Sequence, residues 1–213
     1  MIFKKTSILF AAALTAFVFV SSCEDGKKKE EQMRMETERV EMEAAEEARM
    51  EMEAEEARMK EEARANSIAG QAMKNEELTT LVSALQSAEL ATMLSEPGEY
   101  TVFAPSNQAF EKLTQKKRDE LMKPENKQML TDVLTYHVVK GAITSDKFAE
   151  AIKGANGSYK FKTVKGDELT AMMNGDQFVI KDATGKKAQV ILGNVEASNG
   201  RIYIIDTVLM SKK

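Results

Sequence analysis

The distribution of apolar residues divides the chain into three textures. From Ile8 to Val20 they run almost unbroken, with Thr15 the one interruption. Lys27 to Asn66 is the reverse, built almost wholly from Glu, Ala, Met, Arg and Lys, with neither Pro nor Gly. Such residues are good helix formers, so a single helix is expected there. From Ser67 onward, apolar clusters alternate with turn residues, as in a folded domain.

Within that third part, Leu78, Leu81, Val82 and Leu85 recur at helical spacing. Pro97-Gly98 marks a turn. Tyr100 to Ala104 reads as a short buried strand broken by Pro105, and Ser106 is suited to cap the helix that follows. Helical patterns continue to Leu134. Past Gly141, strands are expected at Tyr159 to Val164, Glu168 to Met173, Gln177 to Lys181, Gln189 to Val195 and Arg201 to Met210. Asn174-Gly175 and Asn199-Gly200 favour the positive φ angles of two-residue hairpin turns, and Thr184-Gly185 supplies a further bend. Asn156-Gly157 also reads as a turn. Helices first and strands second imply an α+β domain.

The charged stretch carries three near-repeats, beginning at Arg39, Arg49 and Arg58. Glu30 with Arg34 and Glu56 with Lys60 are spaced i,i+4, and Glu36-Arg39, Glu46-Arg49, Glu55-Arg58 and Glu61-Arg64 are spaced i,i+3. Met35 with Met42 and Met52 with Met59 are seven apart, but the two pairs are out of phase. A coiled coil needs a sustained seam at two heptad positions. A solvated single helix acting as a spacer is therefore expected over 27–66, with self-association through this helix as the competing reading.

Charge follows the same division. Glu24 to Asn66 carries 16 acidic and 9 basic residues, whereas Ser67 to Lys213 carries 18 acidic and 19 basic. Neither part has the basic excess of a nucleic-acid surface. The single cysteine excludes an internal disulfide framework and a cysteine zinc cluster, and the single histidine excludes HExxH. GxSxG, GxGxxG and GxxxxGK[ST] are absent. The expectation is therefore no catalytic residue, no metal and no cofactor.

Lys4 and Lys5 before the apolar stretch, and Ser21-Ser22 after it, have the organisation of a secretory signal. The thirteen positions of this stretch fall short of the roughly 20 that span a bilayer. Val20-Ser21-Ser22-Cys23 resembles the lipobox of bacterial lipoproteins. That resemblance implies cleavage after residue 22, acylation of Cys23, and a lipid bilayer as first partner. The expected organisation is a signal peptide over 1–22, a lipidated linker over 23–26, the spacer over 27–66 and the domain over 67–213. The expected location is the bacterial cell envelope, at the outer membrane or cell surface.

Three segments of the domain carry a second resemblance. YTVFAPSNQAF (Tyr100 to Phe110), LTYHVVKG (Leu134 to Gly141) and ASNGRIYIIDTVLM (Ala197 to Met210) are similar, in order and spacing, to the signature segments of fasciclin-like domains. Phe103, Pro105, Ser106, Asn107 and Asp206 are the motif residues expected to be structural. The resemblance implies an extracellular adhesion module that contacts polysaccharide, matrix or envelope protein rather than one that catalyses.

The resemblance also places Tyr136 and His137 in a segment linked with recognition in some family members, which makes them candidate ligand-binding residues. If Leu134 to Val139 forms or enters a strand, the two would instead tie neighbouring segments together, and that scaffold role is the expectation adopted. Asp206 lies in a run apolar on both faces, so its carboxylate must find donors. Asn107 beside Ser106 is expected to cap its own helix locally. For the anchor, Cys23→Ser should abolish labelling by a radioactive fatty acid and release the protein from the membrane fraction. Undiminished labelling would refute acylation at this residue.

Overall fold

The computed structural model describes residues 25–212, so Cys23 and the signal-like stretch lie outside the described residues. Two compact units are present, one ending at Ala54 and the other comprising Glu55–Lys213. Helix α1 (Asp25–Ala65) is continuous over 41 residues, as its composition requires. Arg39 pairs with Glu36 and Glu43, Arg49 with Glu53, and Arg58 with Glu55, all on well-exposed surface. Exposed pairs of this kind add little individually. Arg64 turns away from Glu61 and bonds Glu96 of the domain at 2.8 Å. Ser198 fixes the same end, donating its hydroxyl to the Ala63 carbonyl and its N–H to that of Asn66.

The domain proper opens with α2 (Ile68–Met73), capped by the Ser67 hydroxyl, and α3 (Thr79–Ser87). Strand β1 (Tyr100–Pro105) leads to α4 (Asn107–Glu111), α5 (Gln115–Met122) and α6 (Lys127–Tyr136). Strand β2 (Val138–Lys140) and α7 (Ser145–Gly154) follow. The remaining strands are β3 (Ser158–Lys162), β4 (Glu168–Asn174), β5 (Gln177–Lys181), β6 (Lys187–Ala197) and β7 (Gly200–Ile205). The fold is α+β, helical in its first half and strand-rich in its second, as the sequence predicts.

The seven strands form one sheet in the order β2-β1-β7-β6-β5-β4-β3. Its ladders are antiparallel except for β1 with β7, which run parallel from Tyr100 beside Gly200 to Pro105 beside Ile205. A single antiparallel bridge, Val139 with Thr163, joins the β2 edge to the chain leaving β3, and Val164 N–H donates to the Val138 carbonyl at 2.7 Å. The two terminal strands of the sheet thus approach each other at this one point.

Strands β1 and β7 have two buried faces. Val102, Ala104, Ile202 and Ile204 join the helices in one core. Phe103, Tyr203 and Ile205 point the other way, into a core completed by Phe148, Phe161 and Ile180. Phe103 lies 5.7–6.1 Å from the rings of Phe148, Phe161 and Tyr203.

The hairpin turns fall one residue away from expectation. Asn174 pairs with Gln177, so Gly175-Asp176 makes the first turn, with Gly175 at φ +62°. Ala197 pairs with Gly200, so Ser198-Asn199 makes the second. Asn156 and Gly157 do both adopt positive φ. Strand β7 ends at Ile205 rather than continuing to Met210. Gly200, at φ +154°, meets the Tyr100 carbonyl so closely that a Cβ would overlap it. Gly200→Ala should therefore lower unfolding free energy by about 3 kcal/mol or more in urea titrations. A wild-type midpoint would show that β1 and β7 do not approach as described.

Candidate functional site

Helix α6 ends at Tyr136, and His137 is its cap residue, so Leu134 to Val139 is not one strand. The chain leaves the helix there and only then enters β2. Both rings point inward, and both residues are almost wholly buried. His137 bonds at three points. Its Nδ1 lies 2.7 Å from the Val133 carbonyl, its Nε2 lies 3.0 Å from the Leu209 N–H, and its carbonyl accepts from Phe103 N–H at 2.9 Å. A carbonyl can only accept and an N–H can only donate, so the proton sits on Nδ1 and Nε2 is the acceptor.

Burial drives the His137 pKa down to about 4, against a smaller opposing pull from the Val133 carbonyl. Protonating Nε2 would also leave two donors facing each other at Leu209. The neighbouring Tyr136 hydroxyl accepts from Ala183 N–H at 3.0 Å, and burial pushes its phenol up.

Ala183 belongs to the β5–β6 loop, which is built around Asp182, a residue the sequence reading passed over. Asp182 Oδ1 accepts from Thr184 N–H, Thr184 hydroxyl and Lys186 N–H, and Oδ2 accepts from Met210 N–H at 3.0 Å. The Asp-Ala-Thr-Gly order is the available signal, since Asp commonly bonds the backbone two residues on in a turn. Nothing local announces the bond to Met210.

Asp206 lies one residue past β7, with 28% of its side chain exposed. It accepts from Lys112 Nζ at 2.8 Å, from Gln189 N–H at 2.8 Å and from the Thr207 hydroxyl at 3.0 Å. Partial burial raises its pKa, but these donors outweigh that effect and hold it below the usual carboxylate range.

Phe103 is buried in the aromatic cluster, and Pro105 ends β1 beside Ile205. Ser106 caps α4 by accepting from Ala109 N–H at 3.2 Å. Asn107 does not cap its own helix. Its Oδ1 accepts from Thr80 N–H and Thr79 hydroxyl, and its Nδ2 donates to the Glu76 carbonyl. With Ser106 already at the α4 cap, Asn107 closes the start of α3 instead. Asn199 makes a similar long-range clasp, accepting from Ile68 N–H and donating to the Leu94 and Glu96 carbonyls.

The three signature segments thus meet around one buried hub, with His137 binding both β1 and the tail beyond β7. Beside it an open groove of about 540 Å³ has an apolar floor including Leu113, Leu121, Met129 and Met210, with Lys117, Lys186 and Glu120 among its polar lining. In the sequence, Lys116-Lys117-Arg118 and Lys186-Lys187 read as solvated faces in preference to polyanion sites. Among the described residues no cluster of three or more His, Cys, Asp or Glu is placed to hold a metal, and no helix is long and apolar enough to cross a membrane.

A fold of this topology, with these segments at its hub, is that of a fasciclin-type module. The fasciclin domain family model matches residues 76–211, and the chain belongs to that family. It is 41% identical over 138 residues to the protein sll1483 of Synechocystis, covering 64% of this chain and 68% of that one. It is 37% identical over 141 residues to immunogenic protein MPB70 of Mycobacterium bovis, covering 64% of each. Cell surface glycolipoprotein MPB83 of the same species is 35% identical over 141 residues, or 56% of its length. Among solved structures, a FAS1 domain pair from the insect cell adhesion molecule fasciclin I superposes with a TM-score of 0.61 at 18% identity, covering 68% of this chain and 51% of that one. That likeness establishes the shared fold.

Two measurements test the hub. The folded His137 pKa lies below the ordinary value near 6.5, so the unfolded chain binds the proton more readily. Stability from this group is complete above pH 6.5 and declines as pH falls toward 4, by about 3 kcal/mol in all. In His137→Gln that part of the acid sensitivity should vanish, and an unchanged pH profile would contradict it. Asp206→Ala should cost about 1–3 kcal/mol by removing the acceptor shared by Gln189 N–H, the Thr207 hydroxyl and Lys112, against no change in melting if the carboxylate is idle.

Proposed function

We propose that this chain is a membrane-tethered, extracytoplasmic binding module that presents one fasciclin domain on a helical spacer at the bacterial cell surface. The name of MPB83 describes a cell surface glycolipoprotein, and that of fasciclin I a cell adhesion molecule; both support a surface role. The lipobox-like segment at Cys23 supports the tether, since several acyl chains hold a protein on a bilayer far more firmly than one. Forty-one residues of α1 amount to about 60 Å of helix, enough to serve as a spacer.

One observation favours binding over catalysis. The polar groups of the signature segments are already spent inside the protein: both His137 nitrogens, both Asp206 oxygens, the Tyr136 hydroxyl and the Asn107 amide all have partners. A general base or nucleophile needs a free, aimed atom. Recognition then falls to the surface, and the groove over Met210, where two lysines outnumber the one carboxylate of Glu120, is a face with shape and charge for an anionic polysaccharide or envelope protein.

The test is a binding screen of the chain against glycans and envelope proteins, repeated with Lys117→Glu and Lys186→Glu. Saturable binding that falls at least about tenfold in the double variant, with melting unchanged, is expected, as for lost charge contacts at an interface. Binding that survives both charge reversals but fails on substitution of the hub at unchanged stability would overturn this reading.

A further inference from the structure

The placement of methionine in this protein is unusual. The chain has 14 methionines, and among the described residues none is buried in either core. Met is ordinarily a core residue, valued for filling irregular gaps. Here Met33, Met35, Met42, Met50, Met52 and Met59 of α1 have 55% to 68% of their area exposed. Met73, Met122 and Met173 are exposed on the domain, and Met93, Met129, Met172 and Met210 are half-buried.

Helix propensity does not account for the pattern. Leu, Gln and Lys form helices about as well as Met, so propensity does not demand a thioether. Nor does docking account for it. At 100° per residue, the six side chains of α1 point in directions spread around the axis and make no apolar stripe. What they share is access to solvent and absence from both cores.

We infer that α1 is a sacrificial thioether pool that consumes two-electron oxidants of the peroxide class without cost to the fold. The methionine sulfur attacks one peroxide oxygen; the S–O bond forms as the O–O bond breaks. Sulfur loses two electrons and becomes the sulfoxide, and the departing hydroxide takes the remaining proton and leaves as water. Sulfoxidation makes an apolar side chain polar, which disrupts a core but is harmless on a solvated helix. Leaving no described Met fully buried, with Met93, Met129 and Met210 only partly buried against the first core, is the complementary half of the same arrangement.

The experiment uses the full chain carrying Cys23→Ser, so that methionine supplies all its sulfur, titrated with hydrogen peroxide and followed by site-resolved mass spectrometry and thermal melting. The six α1 methionines should oxidise within about threefold of the rate of a free methionine derivative, and the four half-buried ones at least about threefold slower. When all six are converted, the domain should melt within about 2 °C of its starting value, which corresponds to about 1 kcal/mol or less. Early loss of the domain transition, or equal rates at all sites, overturns the inference.

A variant with the six replaced by leucine separates a pool from mere exposure. With limiting peroxide and a free methionine probe equimolar to the six sulfurs, probe loss should be about 1.5-fold greater beside the leucine variant. Equal probe loss beside both proteins also overturns it.

Discussion

The pin at His137 is the interaction on which the rest of the domain depends. One ring, lodged where a helix gives way to a strand, accepts from Leu209 N–H and donates to the Val133 carbonyl, while the same residue's carbonyl takes Phe103 N–H. Three segments distant in sequence are thereby fixed to one another within a dry interior. Unpaired, each of those polar groups would be costly, so the network holds as a unit. The hydrogen bond of Tyr136 to the β5–β6 loop, and that of Asp182 to Met210, extend the same principle to the sheet's far side.

Around the pin, geometry follows from strand β7. It lies beside β1 in parallel and β6 in antiparallel fashion, and alternate residues feed two separate cores. A strand buried on both faces must be apolar throughout, and Arg201 to Ile205 after the turn is nearly so. The parallel approach brings the backbones so close at Tyr100 that only glycine fits at position 200. The polar residues at the ends of the pair, Asn199 before it and Asp206 after it, are spent tying it to Ile68 and to Gln189.

Much of this was legible in the chain. Composition foretold α1, apolar alternation foretold the later strands, and the Ser106 cap follows from its position before a helix. The registers of the hairpins were not legible to the residue, because Asn-Gly permits a turn without fixing which pair occupies it. Here Asn199 is drawn into the interior and Gly200 into the strand. Partners across the fold were hidden for a related reason. Nothing in the sequence around Asn107 distinguishes capping its own helix from closing α3, and nothing around Asp182 points to Met210. Such choices are made by packing, and local propensity carries no record of it. The groove lysines were likewise indistinguishable from any solvated pair.

The central claim is that the Tyr-His segment is the scaffold of this fasciclin domain and not its contact face. Because His137 is the chain's single histidine, nitrogen NMR of the labelled protein reads it without ambiguity. The account predicts a ring with its proton on Nδ1 and an accepting Nε2 at neutral pH, slow exchange, and no titration until the pH approaches about 4. A ring that titrates near 6.5 and exchanges freely would place His137 at the surface and contradict it.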